Sequence, residues 1–350
     1  MSAADGIKSR YARQVLLPGV GPEGQRRLAS AHAAVVGVGA LGCASADLLA
    51  RAGVGRITLI DRDVVEVTNL QRQTLFSEDD AARGVPKAEA GAARLRAVNS
   101  TIDVTAVVAD VTGTNAARVL GLGGPDAPGV LLDGTDNFET RYLINDLSVR
   151  HAVPYAYAGA IGSTAMAATF VPGAGPCLRC VVESPPAPGS TPTCDTAGVL
   201  GAAVAFAAAR QAADAVAVLM GRADLVDGMM LDADLWGGRL RRVPIAGHRN
   251  PACPCCVLRR FEFLDRGGTG DAALCGQDAV QVTPSVEATI DLDALAARLR
   301  AVGPVSRTRF MVRFAVEQYE ISVFPDARAI VRGTTRPEVA RSIYARYVGL

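Results

Sequence analysis

Apolar residues along this chain fall into two patterns: short continuous runs, and longer stretches where they return every three or four positions. Continuous runs bounded by turn residues read as buried strands, and the three-to-four return reads as helix. Residues 10–31 read as helical, opening on RYARQ and closing on GQRRLASA. AHAAVVGVGALG is an apolar strand that runs into a turn, and CASADLLARAG is the helix after it, closed by Gly53. RITLIDRD is a second strand. SEDDAARGVPKAEAGAARLRAVN carries a further helix, with Pro86 tolerated in its first turn. The strands DVTAVVAD and GVLLDGT follow, then the helix FETRYLINDLSVRH and the apolar stretch VPYAYAGAIGSTAMAATFVPG. Strands alternating with helices in this way predict an α/β fold with a doubly wound, mostly parallel sheet covered on both faces.

The run from Ala197 to Met220 is long and apolar, but Arg210, Gln211 and Asp214 interrupt it. Charges there favour a buried helix over a membrane span. SPPAPGSTPT, residues 184–193, reads as an exposed, mobile loop. RGGTGDAALCGQD reads as a linker. Beyond it come a strand, the helix DLDALAARLRAV, three short strands and the closing helix RPEVARSIYARYV. The expected organisation is a first domain over 1–265, a linker over 266–279 and a small α+β domain over 280–350. No internal repeat is visible.

Composition narrows the function classes. Of 350 residues, 49% are hydrophobic, enough for a sizeable core. Lys plus Arg is 36 against 35 for Asp plus Glu, so no general pull toward nucleic acid or a membrane surface is expected. Aromatics make up 5%, too few for a base-stacking platform. The segment MSAADGIKSRYARQ lacks an apolar signal-peptide core, so a cytoplasmic location is expected. Five of the eight cysteines fall in CLRC and CPCC, a pattern that favours metal over disulfides in a reducing compartment.

GVGALG places Gly37, Gly39 and Gly42 in GxGxxG spacing between strand and helix, a Rossmann-like turn that brings backbone N–H groups up to a phosphate. The other reading is a tight turn that binds nothing. Asp61 ends the next strand, about 20 residues on, where a ribose-binding acid is expected. A Walker-type GxxxxGKS is absent. Past Asp61 the chain carries Asn69, Arg72 and Lys87, a set suited to phosphates: a planar fork, an orienting amide and a compact ammonium. Arg72 or Lys87 taken alone also reads as solvated surface. Asp136, just past an apolar strand in DGTDNFETR, is placed to hold Mg²⁺ on the phosphates or to cap the next helix. Asp133 is a second acid nearby.

Together these residues resemble the E1-like adenylyltransferases of the ThiF/MoeB type, which activate ubiquitin-like sulfur carriers. The resemblance runs over roughly residues 10–260 through RYARQ, GVGALG, LIDRDVVEVTNLQRQTLF, GVPKAEAGAARL, DGTDNFETR, two CxxC pairs and TCDTAGVLG. It implies that Asp61 binds the ATP ribose, that Asn69, Arg72 and Lys87 hold the phosphates, and that Asp136 helps hold Mg²⁺. It implies that Arg13 reaches into the partner subunit's site, making a homodimer; a plain helix-surface charge is the other reading of Arg13. The implied reaction is adenylation of a carrier's Gly-Gly carboxylate, for a thiamine or molybdopterin type of sulfur transfer. His32, His151 and His248 are expected to be structural. An NAD-dependent oxidoreductase on the same turn, or a non-catalytic scaffold of this fold, remain the alternatives.

Cys177 with Cys180 and Cys253 with Cys256 form two CxxC pairs, the pattern of a closed tetrahedral zinc site. Buried thiols or a redox pair are the other readings, and Cys255 is spare by spacing. Cys194 stands between the Pro-rich loop and a helix, where a helix N-terminus lowers a thiol pKa. It matches the family position that bonds covalently to the carrier in some members; otherwise it is a small residue at a helix start. No cysteine follows Cys275, so a rhodanese-type sulfur site is not expected and the sulfur donor would be a separate protein.

Overall fold

The computed structural model describes residues 10–186, 194–265, 272–274, 278–284 and 288–349, without the side chains of 194, 195 and 272–274. The chain divides into two compact units, Met1–Gly267 and Gly268–Leu350.

The first unit is built on eight strands: β1 (His32–Val36), β2 (Arg56–Asp61), β3 (Asp103–Val108), β4 (Val130–Asp133), β5 (Tyr155–Ile161), β6 (Thr164–Phe170), β7 (Met229–Asp234) and β8 (Arg239–Pro244). Their order in the sheet is β3-β2-β1-β4-β5-β6-β7-β8. The first five are parallel, with β1 in register from His32↔Arg56 to Val36↔Ile60. β5 to β8 then run antiparallel. The sheet is thus α/β and mostly parallel, as the alternation of elements predicts. The β7–β8 hairpin has no counterpart in that pattern, because every residue of β8 is exposed and no apolar alternation marks it.

Both sheet faces are covered. Ala33 and Val35 point into one cluster with the helices Ala40–Ala52 and Lys87–Val98, while Ala34 and Val36 point into another with Phe138–His151. Near-continuous apolar strands are the consequence of double-sided burial. The long apolar helix, Gly201–Leu219, packs on the first face. Gln211 on it is buried and donates to the carbonyls of Asp133 and Ala156, and Asp214 accepts from Thr169, so it is a core helix and not a membrane span. The stretch expected as one helix over 10–31 is two, Ala12–Val15 and Gly21–Ser30, because Pro18 and Gly19 break it. The helix expected with Pro86 in its first turn is Lys87–Val98, with Pro86 at its N-cap, and a short helix, Glu78–Ala82, precedes it.

The second unit has an antiparallel sheet of six strands with one apolar cluster beneath the helices Leu292–Leu299 and Pro337–Tyr347. Its strands are β9 (Ala272–Leu274), β10 (Ala279–Val282), β11 (Val305–Arg307), β12 (Val312–Val316), β13 (Tyr319–Val323) and β14 (Ala329–Arg332). Four strands separate the helices where three are expected, and β9 lies inside the stretch expected as linker.

Candidate active site

β1, β2 and β4 end side by side, and the chain leaves β1 between two strands whose connections run to opposite sides. That arrangement opens a crevice at their carboxyl ends, where open α/β sheets bind ligands. Gly37 turns there with φ +86°, a value L side chains rarely adopt. A Cβ on Gly42 or on Gly134 would collide with the carbonyl of Gly37, so two strand ends and the first turn of the helix Ala40–Ala52 meet backbone on backbone. Gly39 caps that helix, whose free N–H groups aim into the crevice and favour an anion. Gly134 was not singled out by the GxGxxG pattern; the DGT that follows β4 is its only signal in the sequence.

Asp61 is 9% exposed at the end of β2. One carboxylate oxygen accepts from the Val38 amide at 2.7 Å, and the other from the Asp63 amide at 2.7 Å. The acid therefore holds the glycine turn in shape. Lys87 opens its helix buried, with Nζ 3.0 Å from Oδ2 of Asp63. Burial pulls the Lys87 ammonium down, but Asp63 and Asp61 outweigh it and hold it above the ordinary lysine value. Burial pushes the Asp61 carboxyl up, against the pull of Lys87. The charge of Asp136 also reaches Lys87. Asn69 ends a 3₁₀ turn, Val67–Asn69, and its side-chain oxygen accepts from the Glu66 amide at 3.2 Å, leaving its NH₂ as the end for a ligand oxygen. Arg72 is half-buried and donates one Nη to the Thr68 carbonyl at 3.1 Å, which anchors the fork to the same turn.

After β4, Asn137 and not Asp136 caps the helix Phe138–His151, accepting from the Thr140 amide at 2.8 Å. Asp136 is exposed and free of that task. Asp133 is not available to a ligand: it is fully buried and accepts from the Tyr155 hydroxyl at 2.7 Å and from both the amide and hydroxyl of Thr135. Arg141, which the sequence reading did not single out, lies 3.4 Å from that carboxylate and donates to the Thr135 carbonyl at 2.9 Å. The Thr135–Asp136 corner is thereby fixed from beneath. Arg13 stands away from these groups on the exposed side of Ala12–Val15, while Gln14 ties the same turn to the Ala52 carbonyl and Asn99 donates to the buried Tyr11 hydroxyl. His32 is structural, bridging the Asp126 carbonyl and the Thr58 hydroxyl.

The sulfurs of Cys177, Cys180, Cys253 and Cys256 lie within 4.8 Å of one another. Neighbouring pairs are 3.4, 3.6 and 3.9 Å apart. A tetrahedral Zn–S bond of about 2.3 Å puts sulfurs roughly 3.8 Å apart, so the four fit that ion. Cys255 stays beside the cluster, where Asn145 Nδ2 donates to it at 3.3 Å. Cys43 is packed in its helix with its thiol pushed up to about 12 by burial. The Cys194 side chain, residues 187–193 and Cys275 lie outside the described residues; the Cys194 backbone opens the helix Cys194–Ala197.

Comparison with known proteins places this geometry. The ThiF family profile matches residues 11–255. The chain is 40% identical over 345 residues to the sulfur carrier protein ThiS adenylyltransferase of Bacillus subtilis, covering 98% of this chain and 100% of that one. It is 40% identical over 247 residues to the SAMP-activating enzyme E1 of Haloferax volcanii, covering 71% and 88% of the two chains. Among solved structures it is similar to E. coli MccB with ATP, at a TM-score of 0.59 and 26% identity, covering 71% of this chain and 74% of that one.

Proposed function

The chain belongs to the ThiF family, and we propose from that footing that it uses ATP to adenylate the C-terminal Gly-Gly carboxylate of a ubiquitin-like sulfur-carrier protein. What supports this reading is that the glycine turn, Asp61, Lys87 and Asp136 lie near one another at neighbouring strand ends, with Asn69 and Arg72 on the turn that follows β2, in a chain alike over its length to a carrier adenylyltransferase.

The carrier carboxylate forms a bond from one oxygen to the α-phosphorus, and the α–β bridge breaks with its electron pair leaving on pyrophosphate. The nucleophile is already an anion, so no general base is required, in keeping with the lack of a histidine in the crevice. The difficulty is to bring two anions together, and positioning with charge compensation supplies the rate. Lys87 is held charged by Asp63 and Asp61. Arg72 offers a fork to the phosphates, and the first turn after Gly39 adds amide donors. Asp136 is the carboxylate that would hold Mg²⁺, and the ion would supply positive charge against the phosphates. The four thiolates of Cys177, Cys180, Cys253 and Cys256 would hold zinc in a structural role. Arg13 serves the site of a second copy, and sulfur comes from a separate donor protein.

Among pathways, the thiamine type is favoured, because the likeness to the ThiS enzyme extends through the C-terminal unit. Carrier-dependent release of pyrophosphate from ATP–Mg²⁺, measured across a panel of purified diglycine-ended carriers, tests the reading. Release with the thiamine carrier supports it. Release with a different carrier moves the pathway, and release with none overturns the activity.

A further inference from the structure

We infer that Gln73 is a further nucleotide-binding residue, donating its side-chain amide to a phosphate oxygen of ATP beside the N-terminus of the helix Ala40–Ala52; this rests on the crevice being the ATP site. Three observations carry it. Gln73 is 5% exposed, yet its side-chain oxygen has no hydrogen-bond partner among the described residues. Its amide nitrogen lies 4.0 Å from the point where a Cβ on Gly39 would sit, alongside the cap of that helix. Its backbone is anchored, the amide donating to the Asn69 carbonyl at 3.0 Å and the carbonyl accepting from Phe76 at 3.3 Å.

A buried amide oxygen without a partner is unfavourable, so this glutamine is kept at a cost to stability. The nitrogen, and not the oxygen, is the atom beside Gly39, and only that orientation of the amide offers a donor to a phosphate there. The place is an anion site by backbone geometry, and a neutral NH₂ adds a donor there without disturbing the Lys87–Asp63 pair. Glutamine supplies that donor while carrying a buried oxygen, whereas an apolar residue of equal length would remove both.

The test exploits that conflict. Gln73→Met keeps length and volume and removes both polar atoms. Its unfolding midpoint should be equal to or above wild type, while affinity for a non-hydrolysable ATP analogue with Mg²⁺, read by titration calorimetry, should fall about fivefold or more. Gln73→Glu keeps the shape but brings negative charge to the phosphates, so its affinity should fall further. A lower midpoint for Gln73→Met with affinity unchanged would make the residue structural and overturn the inference. Unchanged ATP affinity with a raised carrier KM would also overturn it, placing the amide on the carrier tail. If wild type itself binds no ATP analogue, the fault lies in the proposed activity, and the two failures are thereby kept apart.

Discussion

Asp136 and Asn137 are adjacent, and the structure gives them different work. Asn137 caps the helix Phe138–His151, so Asn137→Ala should cost about 1 kcal/mol of stability in a denaturant titration. Asp136 is exposed and does not cap, so Asp136→Ala should leave the unfolding curve in place while pyrophosphate release falls about 10²–10³-fold. Near-normal turnover would remove it from metal binding. Lys87 gives a second residue-level prediction. It is one of two lysines among 36 basic residues, in a chain that otherwise uses arginine. With its pKa held above the ordinary value, the stabilisation from its pair with Asp63 is complete below about pH 10, near the unfolded lysine value. It is lost only as pH rises through the elevated folded value. Amine acetylation followed by peptide mass spectrometry should therefore label Lys87 far more slowly than a free lysine amide at pH 8, and ATP should slow it more. Fast labelling at pH 8 would mean the pair is open. Lys87, Asp61 and Arg72 stand out in the sequence as candidates because their residue types are tied to phosphate chemistry. Gln73 and Arg141 do not, since an amide or a buried arginine is given a candidate role only by its neighbours.

The helix Phe138–His151 is the element that joins the two halves of the first unit. Its N-terminal end carries Asn137 beside Asp136, and Arg141 one turn on fixes the Thr135 carbonyl. Farther along, Asn145 accepts from the Leu178 amide at 2.9 Å and donates to Cys255, Asp146 accepts from the Phe263 amide, and the Val149 carbonyl accepts from Arg259. The cysteine cluster is therefore clamped to the far end of the helix whose near end shapes the crevice. Asn145→Leu keeps all four thiolates and should weaken zinc binding about 10–100-fold, read by competition with a chromogenic chelator. Cys177→Ser should lose the metal outright and lower the unfolding midpoint; unchanged zinc content would discredit the four-thiolate site. The helix itself was readable from its apolar returns, and the cluster from its CxxC spacing. That Asn145 connects the two was not, because it depends on a contact with Leu178, 33 residues away. The β7–β8 hairpin escaped for a different reason: a strand with no buried side is written in residues that carry no period.

At the scale of the whole molecule, the proposed role of Arg13 lies in a second copy of the chain. Arg13 is exposed, away from the crevice, on a turn that Tyr11 and Gln14 hold firmly. Beside it Leu16 and Leu17 are 78% and 56% exposed, and Val67, in the turn that ends at Asn69, is 69% exposed. Bare apolar side chains flanking a fixed arginine, and another on the loop that carries Arg72, suit a surface that a second copy covers. No length of sequence reading gives this from periodicity, because a face awaiting a partner carries the same residues as a core. Mixing two inactive variants tests it. Arg13→Ala lacks the arginine and Asp136→Ala lacks the acid, and each alone should release little pyrophosphate. If Arg13 serves the partner's site, a mixed dimer holds one site with both residues intact, formed on the Arg13→Ala chain with the arginine of its companion. Equal mixing makes half the dimers mixed and half of their sites whole, so activity should return to about a quarter of wild type. Were Arg13 to serve its own chain, no site in any dimer would be whole and mixing would restore nothing. Recovery with unfolding and co-refolding, but not on simple mixing, would mean that subunits exchange slowly while the assignment in trans still holds.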